Sequence, residues 1–345
     1  METIFYTGDS IAVAAQLIRQ GELVAFPTET VYGLGADATN EEAIHRVYQA
    51  KGRPSDNPLI VHVQGLDDLK PFVDNLSEKA ELLMSHFWPG PLTLVFKIKE
   101  GSLPSAATGG LSTVAFRMPN NIMTLKLIET AGVPIVGPSA NTSGKPSPTT
   151  AQHVYHDLAG KIAGILDDGP TEIGLESTVV DMTAEIPVIL RPGAVTLEAL
   201  SDLVGEVIVD QHLTTGEAPK APGMKYQHYS PNARVLMIDW QKNNWQEALD
   251  WARENQLSCG VLANGKIIKT LQASTNYQLS EGQDVQKAGQ RLFAGLRALD
   301  EQKEPIAVIF AETYPEEGAG LAYMNRLRKA ANQEYFEGFE TKAEY

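Results

Sequence analysis

At 345 residues the chain is long enough to bury a substantial core and exceeds the roughly 100 to 200 residues typical of one domain, so two domains are expected. Hydrophobic residues make up 43%, and 28 Lys and Arg against 43 Asp and Glu give a net charge of −15, which opposes broad attraction to nucleic acid or anionic membranes but leaves room for a local basic groove. The single cysteine, Cys259, excludes an internal disulfide and points to a reducing cytoplasm; no basic-then-apolar leader and no apolar run near ~18 residues is present, so no signal peptide or membrane span is expected.

Residues 2–7 read as a short strand, after which Asp9 or Ser10 caps an apolar helix over 11–19 that stops at Gly21. The chain is organised around the stretch 24–63. A strand over 23–26 breaks at Pro27 into the polar loop 28–35; Asn40 then caps a helix with Glu41 and Glu42 in its first turn, where the helix dipole favours negative charge. That helix stops near Lys51 and Gly52, because the next segment, Arg53 to Pro58, carries two prolines, and an apolar strand over 59–63 comes after it. Residues 65–74 and 77–87 read as helices, 92–98 and 113–118 as strands flanking the loop 101–110, 122–131 as a helix and 133–136 as a buried strand. The loop 137–146 is crowded with hydrogen-bonding groups. A helix over 151–158 and strands over 163–167, 176–182 and 188–190 complete an α/β pattern in which adjacent strand pairs favour a mixed sheet over a purely parallel one.

Residues 211–233 carry Pro219, Pro222 and Pro231 with little apolar periodicity and read as a linker, although its aromatic, basic and imidazole content exceeds what a spacer needs. Strands over 235–238, 259–262 and 306–310 with helices over 245–254 and 285–299 then indicate a smaller α/β domain. In the longer helix Val285, Ala288, Leu292, Phe293, Leu296 and Leu299 form one apolar stripe.

Four cations fall at element ends of the first domain: Lys51, Arg53, Arg117 and Arg191. In so acidic a chain, their grouping with Asn57, Ser139, Asn141 and Ser177 marks a local anion site, since Arg suits carboxylate and phosphate. Gly33-Leu34-Gly35 matches a dinucleotide fingerprint in letters only and reads as a turn, because the strand ends too early and the helix begins after it. Residues 137–145 lack Walker spacing, the seven histidines show no zinc spacing, so no protein-ligated metal is expected, and no serine sits in a nucleophile elbow.

The motifs PTETVYGLG (27–35), KGRPSDNPL (51–59), FWPGPLTLV (87–95), AFRMP (115–119), GPSANTSG (137–144), ESTVVD (176–181) and RPG (191–193) resemble the YrdC-like domain over about the first 210 residues. With PGMKYQHYSP in the linker and the α/β region beyond, the chain resembles the two-domain form of the threonylcarbamoyl-AMP synthase family. The resemblance implies a YrdC-like twisted mixed sheet over 1–210, a linker over 211–233 acting as an active-site lid, and a smaller Rossmann-like α/β domain over 234–345. It also implies a cytoplasmic nucleotidyltransferase that joins L-threonine, bicarbonate and ATP for modification of an adenosine beside the tRNA anticodon, and that serves a downstream tRNA threonylcarbamoyl transferase. By that likeness Lys51, Arg53, Ser139 and Asn141 form the catalytic Lys-x-Arg and Ser-x-Asn tetrad. Threonine is expected on Thr30, His62, Arg117, Ser139 and Ser177, with Arg117 clamping its carboxylate. ATP is expected on Arg53, Asn57, Thr113, Asn141, Thr149 and Arg191, and the linker would close through Lys225 or Tyr229. Every reactant is anionic, so fixed cations suit the chemistry, and Mg2+ is expected to arrive with ATP. Two other readings stay open: a salt-dependent RNA-binding module, and a carbamoyl-transfer domain of the kind found in hydrogenase maturation proteins.

Overall fold

The computed structural model describes residues 2–210 and 229–342. Contacts divide these into two compact units, residues 2–143 with 147–210 and residues 144–146 with 229–342.

The first unit has strands β1 (Ile4–Tyr6), β2 (Val24–Phe26), β3 (Gly33–Asp37), β4 (Ile60–His62), β5 (Leu92–Lys97), β6 (Thr113–Arg117), β7 (Ile135–Val136), β8 (Gly164–Leu166), β9 (Thr178–Asp181), β10 (Val188–Arg191) and β11 (Ile208–Val209). Its helices are α1 (Ile11–Arg19), α2 (Glu41–Lys51), α3 (Glu78–Phe87), α4 (Ser105–Thr108), α5 (Ile122–Ala131), α6 (Ala151–Leu158) and α7 (Leu197–Val204). The strands make one sheet in the order β1-β8-β2-β3-β7-β4-β6-β5-β9-β10-β11. It is mixed, as expected: β4 pairs parallel with β6 and β5 with β9, whereas β5–β6, β9–β10 and β2–β3 are antiparallel.

The helices form where the sequence places their caps. Asn40 Oδ1 accepts from Ala43 N at 3.1 Å to open α2, and Gly52, at φ 61°, ends it in the left-handed region that glycine enters without a Cβ clash. Ser77 and Asn121 cap α3 and α5 in the same way. One sheet face packs on α2, α3, α6 and α7 through a large core that includes Val47, Leu83, Val154 and Leu200 against Val61, Leu94, Phe116 and Val180. On the opposite face α1 and α5 cover only part of the sheet, packing Ala15, Ile18, Leu127 and Ile128 on Val24, Phe26, Ile135 and Leu166. The rest of that face, over β4, β6, β5 and β9, carries a small apolar patch of Ile60, Val95, Ala115 and Val179.

Three expectations change. Gly33-Leu34-Gly35 is not a turn but the start of β3, paired antiparallel with β2. A Cβ at Gly33 would lie 2.6 Å from Phe26 Cζ and one at Gly35 would lie 2.7 Å from Val24 O, so the glycines permit close strand approach. Residues 65–74 hold only a short 3-10 turn, Leu66–Leu69, and the loop 101–110 contains the one-turn helix α4.

The second unit is a four-stranded parallel sheet, β12 (Arg234–Ile238), β13 (Cys259–Ala263), β14 (Asn276–Gln278) and β15 (Val308–Glu312), in the order β12-β15-β13-β14. Helices α8 (Trp245–Glu254), α9 (Gly265–Leu271), α10 (Val285–Asp300) and α11 (Ala319–Ala330) complete an α/β unit. Trp251, Phe310 and Phe336 meet edge to face in its core. The α10 stripe is buried at Ala288, Leu292, Phe293, Leu296 and Leu299. Among the described residues no helix is long and apolar enough to cross a membrane.

Candidate active site

Side chains alternate across a strand, and this period sorts the residues of β4, β6, β5 and β9. Val61, Phe116, Leu94 and Val180 point into the large core. Their neighbours Ile60, His62, Thr113, Ala115, Arg117, Thr93 and Val179 therefore share the other face, with the apolar patch as its floor.

At one end of that face β4 and β6 finish together, with His62 and Arg117 as cross-strand partners. Arg117 is 4% exposed and its fork is engaged on three sides: Nε donates to Gly90 O at 3.2 Å, Nη1 to Thr30 Oγ1 at 2.8 Å, and Nη2 lies 2.7 Å from Glu29 Oε2. That last contact is an ion pair lying off the line of a hydrogen bond, so neither Glu29 carboxylate oxygen has a hydrogen-bond donor among the described residues. Thr28 Oγ1 accepts from Thr30 N and Val31 N and so fixes the loop that presents Glu29 and Thr30. Burial first, and the Arg117 guanidinium second, push the His62 imidazole down to about 3, which makes it neutral near pH 7. Its ring meets Phe26 edge to face, and its Nδ1 has no hydrogen-bond partner among the described residues.

Next along the sheet, Ser177 precedes β9. Its Oγ lies 2.7 Å from Thr93 Oγ1, and Arg191, at the end of β10, donates from Nη2 to Ser177 O at 2.9 Å and Ser177 Oγ at 3.1 Å. The expected cation thus packs directly on an expected threonine ligand.

A third group forms around the loop after β7. Ser139 bridges to Gly33, and Ala140 N donates to Tyr32 O, so this loop extends the sheet pairing. Lys51, in the last turn of α2 and 2% exposed, donates from Nζ to Ser139 O at 2.5 Å and Asn141 O at 2.6 Å. Its charge here fastens two members of the expected tetrad. Asn141 Nδ2 donates to Thr142 O.

The remaining expected nucleotide residues lie by the start of β4. Arg53 Nη2 donates to Pro58 O at 3.1 Å and to Asn57 O at 3.3 Å. Asn57 is buried, its Oδ1 without a partner among the described residues, and the hydroxyl of Tyr48, pushed up to about 12 by burial, holds the same turn through Asn57 O at 3.1 Å. Because Ile60 is in register with Ala115, Thr113 lies level with Pro58 at this end. Thr149 is buried, with Oγ1 3.4 Å from His153 Nδ1 at the opening of α6.

The structure therefore gathers Thr30, His62 and Arg117 in one group, Ser177 with Arg191 in a second, Lys51, Ser139 and Asn141 in a third, and Arg53 with Asn57 in a fourth. Of the linker residues, Lys225 lies outside the described residues. Tyr229, at φ 67°, belongs to the second unit and packs its ring 5.0 Å from that of Phe293. Sequence reasoning missed Glu29, Thr93 and Tyr48. Glu29 and Thr93 act through partners distant in the chain, Arg117 and Ser177, whereas Tyr48 reaches the nearby Asn57 carbonyl across the end of α2; only the strand alternation of Thr93 carried a readable signal.

A family model described as telomere recombination, of the Sua5, YciO and YrdC group, matches residues 16–193, and one described as threonylcarbamoyl-AMP synthase, C-terminal domain, matches residues 195–332. A threonylcarbamoyl-AMP synthase of Bacillus subtilis is 48% identical over 324 residues, which span 93% of this chain and 92% of the relative. Another, of Pyrococcus abyssi, is 46% identical over 327 residues, spanning 93% and 94%. The crystal structure of P. abyssi Sua5 complexed with L-threonine matches with a TM-score of 0.90 at 44% identity, covering 97% of this chain and 99% of that one. With both units matched in order and the relatives spanned almost end to end, the chain belongs to the threonylcarbamoyl-AMP synthase family in its two-domain form.

Proposed function

We propose that the chain condenses L-threonine, bicarbonate and ATP into threonylcarbamoyl-AMP and pyrophosphate, the activated intermediate for modification of the adenosine beside the tRNA anticodon. The P. abyssi relative's complex with L-threonine supports the first substrate. Within the chain, the observation that carries the reading is the group at the end of β4 and β6: a buried guanidinium, the Thr30 hydroxyl and a neutral imidazole, on the sheet face that continues to Ser177. That set suits an amino acid carboxylate with a small polar side chain.

In this reaction the threonine amine captures carbon dioxide, a carbamate oxygen attacks the α-phosphorus, and pyrophosphate leaves. Negative charge grows on the phosphoryl group and the leaving group, so preorganised cations lower the barrier more than a general base would. Arg53 and Arg191 are the cations assigned to nucleotide, with Asn57, Thr113, Asn141 and Thr149 as its polar contacts. Lys51 and Ser139 hold the loop that brings Asn141 into place. The carbamate is labile in water, and the apolar floor of Ile60, Val95, Ala115 and Val179 favours a dry site.

Magnesium supplies charge neutralisation on the triphosphate when bound. Among the described residues no group of three or more His, Cys, Asp or Glu is placed to hold a metal ion. The metal would arrive with the triphosphate. A downstream tRNA threonylcarbamoyl transferase would consume the product, and the single free Cys259 suits a reducing cytoplasm.

The test is incorporation of radiolabelled bicarbonate with ATP and Mg2+, with and without L-threonine, following pyrophosphate. A threonine-dependent adenylate, reduced roughly 100-fold in folded Arg53→Ala and Ser139→Ala variants, is the expected result. No product under conditions where ATP binds would overturn the reading.

A further inference from the structure

We propose that Glu29 accepts the α-ammonium group of threonine and takes the proton that must leave before this amine attacks carbon dioxide. The inference rests on the function proposed above and adds a residue to it.

Glu29 is 5% exposed, and its carboxylate meets one cation at 2.7 Å while both oxygens lack a hydrogen-bond donor among the described residues. A buried carboxylate in that state retains unused acceptor capacity, and native structures rarely keep such capacity without a ligand, water or ion to fill it. The backbone around it is rigid: Ile173 N donates to Glu29 O at 2.7 Å, and the Thr28 hydroxyl ties the turn on the other side. The carboxylate is thus held in place beside the guanidinium assigned to the substrate carboxylate.

The pair has the complementary charge pattern to a zwitterion. An α-amino acid carries a carboxylate and an ammonium on one carbon; Arg117 and Glu29 present a cation and an anion at contact distance. With the substrate carboxylate on Arg117, the ammonium falls to Glu29.

Threonine at neutral pH is an ammonium, which has no lone pair. Transfer of one N–H proton to a Glu29 oxygen frees that pair. The pair then forms the N–C bond to carbon dioxide, a C–O π pair moves onto oxygen, and a second N–H proton passes to water. Bicarbonate supplies the carbon dioxide, so ammonium plus bicarbonate gives carbamate, one water and one proton. Charged or titratable groups on the surrounding elements include Arg117 on β6, neutral His62 on β4, Lys51 on α2, Arg191 on β10, Glu176, which accepts from Ser147, and Glu172 beside Ile173. They also include Tyr32 on the same loop, whose hydroxyl donates to Gly169 O and is pushed up by burial. His62, held neutral down to about 3, does not titrate in the range tested.

The experiment measures kcat/KM for threonine from pH 6.5 to 9.5 in the full chain and in Glu29→Gln and Glu29→Asp. The expected result is a roughly 100-fold loss at pH 7 in Glu29→Gln, recovered towards wild type near pH 9 where the amine is already partly free, with partial activity in Glu29→Asp. A Glu29→Gln enzyme with wild-type kcat/KM and an unchanged pH profile would sink the inference while leaving the synthase reading intact. Absence of a threonine-dependent product from the wild type would instead remove that reading. Should Glu29→Gln fail to fold, competition on the wild type decides: 2,3-dihydroxybutyrate, with hydroxyl in place of ammonium, should bind about 30-fold or more weakly than threonine, and equal binding overturns the proposal.

Discussion

His62 and Arg117 stand opposite each other in β4 and β6, and the guanidinium adds to burial in keeping the imidazole uncharged. The folded value of about 3 lies below the ordinary 6.5, so between these limits the unfolded chain binds a proton at this site that the folded chain does not. The stability this site contributes is therefore complete above pH 6.5 and lost as pH falls, by about 1.4 kcal/mol per unit at most. Urea unfolding at pH 7.5, 6 and 5 should show this slope in the wild type and a shallower one in His62→Gln. Parallel slopes would mean that His62 does not titrate differently on folding.

Gly137 permits the His62 and Phe26 rings to close over the strand end. A Cβ there would lie 2.5 Å from Phe26 Cζ and 2.7 Å from His62 Nδ1, both closer than van der Waals contact. Gly137→Ala should destabilise the chain by about 1 to 3 kcal/mol and displace the imidazole. The readout is a KM for threonine raised about tenfold with KM for ATP little changed, since the ring sits in the group assigned to threonine.

Lys51 donates to two carbonyls of the loop after β7 from a buried position. Lys51→Met keeps most of the length of the side chain and leaves both oxygens without that donor. The expected loss is about 3 kcal/mol, as for charged hydrogen bonds of this kind. Thermal melting checks the stability, and turnover at saturating ATP should fall with it, because Ser139 and Asn141 are the residues the lysine fastens.

Thr93→Val tests the hydroxyl pair at the start of β5. The substitution keeps the branched shape and removes the 2.7 Å partner of Ser177 Oγ, leaving Arg191 as its donor. A cost of about 1 kcal/mol in unfolding and a weaker threonine affinity at unchanged ATP affinity are expected, measured by calorimetry.

Much of this architecture was legible locally. Asn40, Ser77 and Asn121 sit where a side-chain oxygen can reach an unpaired helix N–H, so α2, α3 and α5 announce themselves in a few residues. β3 was not legible, because GLGAD reads as a flexible turn until Phe26 and Val24 are known to press against it from the neighbouring strand. Residues 65–74 have apolar spacing that suits a helix but form only a 3-10 turn, and α7, α9 and α11 were not recognised; α11 opens at Gly318 with no side-chain cap to announce it. At the site, the cations stand at element ends and could be picked out one by one. Glu29 could not, since its meaning depends on an arginine in a strand on the far side of two others.

The alternation that puts Ala115 and Arg117 on the open face and Phe116 in the core also sets what lengths of chain this fold can tolerate. Deleting one residue within β6 would exchange the two faces of the strand beyond the lesion, driving a guanidinium among Leu94 and Val61 and turning an aromatic ring outward. Insertions beside Gly101, exposed and outside the strand pairing, carry no such penalty. Length variation should therefore be excluded from the short strands and concentrated in the segment between β5 and β6.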